Sequence, residues 1–278
     1  MQRSTFELFE RAGFNIGVRE RSVFPSIDDD RISCVLFRAQ EMSRYVVDGL
    51  IDCGLTGHDW IVENGNEQDV VEICELTYSR ATSNPARWVL AVPNESPVQK
   101  PEDLAGGIIA TEIVNTVRRY FQEKKVDCRV EFSWGTTEIK ARICDAIVDL
   151  TETGSSIRAN NLRVLDTLLT STIRFVANRE AWAVPWKREM MENMAILLKG
   201  AIDARGKVGL KMNVPDGRLA EIVEYLPAQQ SPTVNKLYDG DYAIEVIIDE
   251  RLERELIPRL KRSGATAIFS YPLNKVIP

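Results

Sequence analysis

Short apolar runs bounded by turn residues alternate with amphipathic stretches along the first 150 residues, and few folds accept that alternation. Residues 33–37, 53–56, 70–76 and 88–92 read as strands, with a helical stretch at 39–48 and another beginning near Asp59. This is the rhythm of an α/β sheet. The chain nevertheless opens on a helix. Ser4 and Glu7 have capping-box spacing, Phe6, Leu8 and Phe9 are apolar, and Gly13 suits a C-cap, which predicts a helix over 4–12. Sheets of this kind usually begin with a strand.

A loop at 93–97 introduces a second α/β unit. A strand at 107–111, a helix capped by Asn115 with Val117, Tyr120 and Phe121 on one face, and an alternating strand at 126–132 give the order β, α, β. A helix then starts near Gly135, and a short buried strand at 145–150 runs into Thr151-Glu152-Thr153-Gly154-Ser155-Ser156. A long helix follows over 186–204, whose methionines read as core. From Gly206 on, the elements are a strand (208–214), a helix with Leu219, Ile222, Val223 and Leu226, a hairpin (233–237 and 242–248) around Asp239-Gly240, a helix with Leu252, Leu256, Ile257 and Leu260, and a strand (265–270). That βαββαβ order is ferredoxin-like, an arrangement shared by many ligand-sensing modules.

Composition narrows the chemistry. The 278 residues give about two domains on length alone. No apolar run reaches the ~18 residues of a membrane span and the N-terminus lacks a secretory pattern, so a cytoplasmic protein is expected. The five cysteines are far apart, without a C-x-x-C pair, and read as small buried hydrophobes. With His58 as the single histidine, a multi-histidine metal centre is impossible within one chain, and a chemistry with little side-chain proton transfer is favoured. A net charge of −6 argues against nucleic-acid binding, but a nest of backbone N–H groups still holds small anions.

The loop after the 145–150 strand has the make-up of a site for a phosphorylated sugar. Gly154 permits close backbone approach, Thr153, Ser155 and Ser156 donate to a phosphate, and Asp149 and Glu152 accept from ribose hydroxyls. Ligands of α/β sheets sit beyond the carboxyl ends of strands, where this loop lies. A plain strand-to-helix turn with Ser and Thr caps is the alternative. Gly54-Leu55-Thr56-Gly57-His58-Asp59 is a second strand end, in which Asp59 reads as an N-cap and His58 as a packing or surface residue. Arg118-Arg119 and Lys124-Lys125 read as a solvated helix face.

Taken together, the 151–156 loop with Asp145-Ala146-Ile147-Val148-Asp149 before it, Gly54–Asp59, Ile109-Ala110-Thr111-Glu112 and Arg118-Arg119-Tyr120-Phe121 closely resemble ATP phosphoribosyltransferase, the first enzyme of histidine biosynthesis. Lys199-Gly200-Ala201, Ala204-Arg205-Gly206-Lys207, Ser231-Pro232-Thr233 and Tyr271-Pro272-Leu273-Asn274-Lys275 are similar to the long form of that family, which carries a C-terminal histidine-binding domain. The likeness covers essentially the whole chain.

The resemblance implies two periplasmic-binding-protein-like (type II) α/β catalytic domains and a C-terminal ferredoxin-like (ACT-like) domain. Domain I would take 1–81 and 170–190, domain II 82–169, a linking helix 191–204 and the regulatory domain 205–278. It implies transfer of the phosphoribosyl group of phosphoribosyl pyrophosphate to N1 of ATP, with Mg²⁺ held through substrate phosphates and not by a fixed protein cage. Asp149 and Glu152 would be catalytic, and Asp149, Glu152, Thr153, Gly154, Ser155 and Ser156 would bind phosphoribosyl pyrophosphate. Arg38, Asp59 and Glu138 would contact ATP. Histidine, as inhibitor, would bind at Asn213, Ser231, Thr233 and Ala267, in a homo-oligomer between dimer and hexamer. Family members begin with a strand and a basic, glycine-containing turn that this chain lacks, so the expectation is that its start is internal to a longer protein. The competing reading from another class is a cytoplasmic, non-catalytic small-ligand sensor with a bilobed fold.

Overall fold

A computed structural model describes residues 2–18, 23–78, 85–227 and 231–278. In chain order the elements are α1 (Gln2–Ala12), the two-residue strands β1 (Ile16–Gly17) and β2 (Ser26–Ile27), α2 (Ala39–Val47), β3 (Cys53–Gly57), α3 (His58–Asn64), β4 (Val70–Leu76) and β5 (Ala86–Pro93). Then come β6 (Ile108–Thr111), α4 (Val114–Glu123), β7 (Arg129–Phe132), α5 (Thr137–Lys140), β8 (Ala146–Thr151), α6 (Ser155–Ala159), β9 (Leu162–Ser171), β10 (Ile173–Asn178), α7 (Arg179–Ala183) and α8 (Pro185–Asp203). The last part holds β11 (Lys207–Val214), α9 (Leu219–Tyr225), β12 (Thr233–Lys236), β13 (Tyr242–Asp249), α10 (Glu253–Arg262) and β14 (Thr266–Pro272).

The chain forms two compact units, one of 1–7 and 15–195 and the other of 8–14 and 196–278, so their boundary falls inside α8. The larger unit has two α/β lobes. Lobe I is built on the sheet β3-β10-β4, in which β10 runs antiparallel to both neighbours, over a small core of Val46, Ile61, Val70 and Val176. Lobe II is built on β7-β6-β8-β5-β9, with β6 parallel to β7 and β8, and β5 antiparallel to β8 and β9. Its core lies on both faces of the sheet, Trp88, Leu90, Ile109, Val117 and Phe121 on one and Val89, Ala91, Ile147 and Ile157 on the other. Burial on both faces explains why β5 and β8 read as continuous apolar runs. Thr172 alone separates β9 of lobe II from β10 of lobe I, and its carbonyl accepts from the His58 N–H at 2.9 Å.

The smaller unit contains the βαββαβ arrangement, with the antiparallel sheet β12-β13-β11-β14. Val208, Leu210, Met212 and Val214 alternate into a core shared with Ile244, Val246 and Ile248, while α9 and α10 supply Ile222, Leu256 and Leu260. Gly240 sits at φ +98° in the β12–β13 connection, and the Leu237 N–H closes that turn onto the Asp241 carbonyl at 2.7 Å. Among the described residues no helix is long and apolar enough to cross a membrane.

Several local expectations are corrected. Residues 33–37 form no strand: the run finds no ladder partner, and its Leu36 N–H bonds to the Val23 carbonyl instead. Ser4 lies inside α1 and Glu7 pairs with Arg3, so no capping box forms there. Asn115 lies in the first turn of α4 and does not cap it. The cysteines are half-buried, not buried, and form no disulfide. The expectation of a solvated face is met at Arg118, Arg119, Lys124 and Lys125, all exposed, with Arg119 also donating to the Val62 carbonyl and Lys124 pairing with Asp166. Residue 81, the expected end of the first catalytic segment, lies outside the described residues. The core expectation for Met191 and Met194 is met.

Candidate active site

The parallel strands β6, β7 and β8 end side by side, at Thr111, Phe132 and Thr151, and the loops beyond those ends carry the residues of interest. After Thr151 the chain turns sharply into α6. Gly154 makes that turn at φ +73°, a left-handed conformation costly for other residues. Its N–H donates to Thr151 Oγ1 at 2.8 Å, which folds the loop back on the strand end. The Thr153 hydroxyl donates to Ser155 Oγ at 2.9 Å. The Ser155 N–H, in the first turn of α6, donates at a long 3.4 Å to Thr153 Oγ1, and the Ser156 N–H beside it has no partner within the helix, so both point where an anion could accept from them. The sequence reading missed Arg158. A Cβ built on Gly154 would lie 2.9 Å from its Nη1, so this cation leans over the loop. A basic residue four positions beyond the loop glycine was the available signal.

Next to this anion-favouring loop lies a negative one. Asp149 sits two residues before the β8 end, and burial together with the charges of Glu138 and Glu112 pushes its carboxyl up to about 6, although the Leu150 N–H donates to Oδ1 at 2.9 Å and opposes the shift. Burial and the Glu138 charge also push Glu112 up, against the attraction of Lys140. Glu112 follows β6 directly and was not singled out in the sequence. Among the described residues no three acidic, histidine or cysteine side chains converge as a metal cage. The negative potential that raises Asp149 would still favour a cation arriving with its own phosphate ligands.

Arg38, Asp59 and Glu138 do not form one cluster. Glu138, in α5, joins the acidic group of lobe II. Arg38 is exposed at the N-cap of α2, near the β3 end because Thr56 Oγ1 donates to the Ala39 carbonyl at 2.8 Å. Asp59 is held by partners within the protein. It is 4% exposed, accepts from Trp88 Nε1 at 2.7 Å and from Ser171 Oγ at 2.8 Å, and its own N–H returns to Ser171 Oγ. Both oxygens are thus used inside the protein. The carboxylate folds back over Gly57, where a Cβ would come within 2.0 Å of Oδ1. Arg87, beside Trp88, pairs with Thr151, so Asp59 ties the β3 end of lobe I to the strand ends from which the 151–156 loop emerges.

Of the residues expected to sense histidine, Asn213 and Ala267 come together. Asn213 pairs with Thr266 and Lys211 with Phe269, a bulge in which Ala267 takes φ +45°. Thr233 lies on the edge strand β12, two strands from β11 and therefore roughly 10 Å away. Ser231 is exposed just before β12.

A family model described as ATP phosphoribosyltransferase matches residues 38–200, and one described as HisG, C-terminal domain, matches 204–275. The chain belongs to the ATP phosphoribosyltransferase family. ATP phosphoribosyltransferase of Chlorobaculum parvum is 54% identical over 100% of this chain and 94% of its own. That of Pelotomaculum thermopropionicum is 52% identical over 100% of this chain and 96% of its own. Among solved structures, a chain of the ATP phosphoribosyl transferase (HisG:HisZ) complex from Thermotoga maritima is 26% identical, with a TM-score of 0.59 over 71% of this chain and 93% of that one. The expected long-form family, α/β fold class and assignment as a transferase of histidine biosynthesis hold.

Proposed function

We propose that the phosphoribosyl transfer of this family takes place here at the 151–156 loop, with phosphoribosyl pyrophosphate held by Thr153, Gly154, Ser155 and Ser156 and its ribose facing Asp149 and Glu152. The left-handed turn at Gly154, set beside an acidic group, carries this reading. Phosphate oxygens take the Ser155 and Ser156 N–H groups and the hydroxyls, with Arg158 over them. The adenine N1 lone pair attacks the anomeric carbon, the bond to pyrophosphate breaks, and the leaving group takes the electron pair. The proton then lost from the adenine amino group passes to solvent. Ionised Asp149 and Glu152 stabilise the positive charge that develops on the ribose, so orientation and electrostatics supply the rate without a histidine base.

ATP is placed against Arg38 and Glu138, with Asp59 anchoring the loop of lobe I. Among the described residues the site offers no protein cage for a metal, so Mg²⁺ would be held through the substrate phosphates and would supply charge neutralisation of the pyrophosphate leaving group. We further propose the domain division given by the resemblance, cytoplasmic location, assembly of the chain with copies of itself, and feedback inhibition by histidine at Asn213, Ser231, Thr233 and Ala267. Incubation with ATP, phosphoribosyl pyrophosphate and Mg²⁺, with and without histidine, tests the scheme. Phosphoribosyl-ATP should accumulate and histidine should suppress it; an active enzyme indifferent to histidine removes the regulatory part.

A further inference from the structure

Lobe I and lobe II share more than the strands that cross between them. Helix α3 belongs to both: Ile61 lies in the lobe I core, whereas Trp60 packs on the lobe II core, its ring 6.3 Å from that of Trp88. At the far end of α3, Glu63 is buried and reaches the start of α4. Its Oε1 accepts from the Asn115 N–H at 2.9 Å, and its Oε2 accepts from the Thr116 N–H and hydroxyl, both at 2.8 Å. Asn115 Nδ2 donates to the Glu63 carbonyl at 3.1 Å, and Arg119 Nη2 to the Val62 carbonyl at 2.5 Å. Helix α4 follows β6 at the carboxyl edge of the sheet, where a helix N-terminus ordinarily attracts an anion. Here the protein fills that position with its own carboxylate, delivered from the other lobe.

We infer that Glu63 is a positioning residue for the phosphoribosyl transfer. It caps α4 in trans and, with Asp59 at the opposite end of α3, fixes the 54–59 loop of lobe I against the 151–156 loop of lobe II before substrates bind. The two carboxylates stand at either end of one short helix and grip different parts of lobe II, α4 and the β5–β9 pair, so rotation of α3 about either contact breaks the other. The inference rests on the proposed meeting of the substrates between these loops.

Hydrogen exchange and steady-state kinetics on Glu63→Ala, Glu63→Gln and Thr116→Val test it together. In Glu63→Ala, protection of the Asn115 and Thr116 amides should fall about ten- to a hundredfold. Turnover should fall at least about tenfold while KM for phosphoribosyl pyrophosphate stays within about twofold, because misalignment raises the barrier without touching the phosphate loop. Glu63→Gln keeps one acceptor and should recover part of both effects, and Thr116→Val, which retains the N–H contacts, should lie closest to the wild type. Unchanged amide protection overturns the trans cap. Lost protection with unchanged turnover overturns the positioning role. A wild-type protein that makes no phosphoribosyl-ATP overturns the proposed function instead, and exchange at Asn115 and Thr116 still decides the cap.

Discussion

Asp149→Asn should make the unliganded protein more stable at alkaline pH, although it removes a group proposed to act on substrate. The folded-state value of Asp149, about 6, lies above its ordinary 3.8. A carboxyl raised in this way favours the folded state only while protonated: its contribution is full below about pH 4 and is lost as pH rises through 6. At pH 8 the ionised side chain would cost about 3 kcal/mol, from the separation between 3.8 and about 6. Asp149 is partly exposed, and screening by solvent reduces this to roughly 1–2 kcal/mol. Asparagine has nearly the same shape and carries no charge at any pH. Urea unfolding of wild type and variant, at steps from pH 4 to pH 8, should show a gap near zero at the acid end that opens to roughly 1–2 kcal/mol in favour of the variant. A gap that does not vary with pH would refute the electrostatic argument, because a packing or hydrogen-bond effect has no reason to titrate near 6.

Catalysis should respond in the opposite sense, with kcat/KM rising with pH through about 6 as Asp149 ionises; a rate flat from pH 5 to 8 would remove it from the reaction. Gly154→Val forces a β-branched residue to φ +73° and drives a methyl-bearing carbon toward Arg158. The expected result is at least a hundredfold loss in kcat/KM for phosphoribosyl pyrophosphate (about 3 kcal/mol) with circular dichroism unchanged. Asp59→Asn replaces one acceptor of the Trp88–Ser171 pair with a donor and should cost about 1–3 kcal/mol in urea unfolding. For the regulatory site, Asn213→Leu should raise the histidine concentration for half-inhibition at least tenfold, read directly from inhibition curves.

The sequence was most legible where one periodicity dominated. In β11 and β13 every second residue enters a single core, so alternation located both strands within a residue or two. Strands β9 and β10 went unread for the converse reason. The buried and exposed positions of β9 follow no alternation, because its register with β5 slips twice, and β10 continues after one residue with no Gly or Pro between. The 151–156 segment was readable as a turn because Gly154 falls between a strand and a helix, whereas its Ser and Thr residues suit a phosphate contact and a helix cap equally well. Its acidic neighbour was only half visible: Asp149 lies in the same stretch, but Glu112 comes from another strand end and meets it through the parallel pairing of β6 with β8. Asp59 was ambiguous because an Asp near the start of a helix after Gly looks the same in sequence whether its carboxylate faces a ligand or binds an indole and a distant serine, the two partners it has within the protein. Nothing local distinguishes the two.

The single-residue joint at Thr172 limits how this protein can be dismantled. Lobe I is assembled from chain before β5 and chain after β9, so no one continuous fragment contains it, and the later piece enters directly from a strand of lobe II. Cutting at the joint would leave β10, the central strand of the lobe I sheet, to find its place between β3 and β4 as a separate peptide. Insertion of a tag or reporter there would separate two ladders that now hand over within one residue. Fragment complementation and domain insertion are therefore better aimed at the loop between β12 and β13, where Gly240 already turns the chain at the surface.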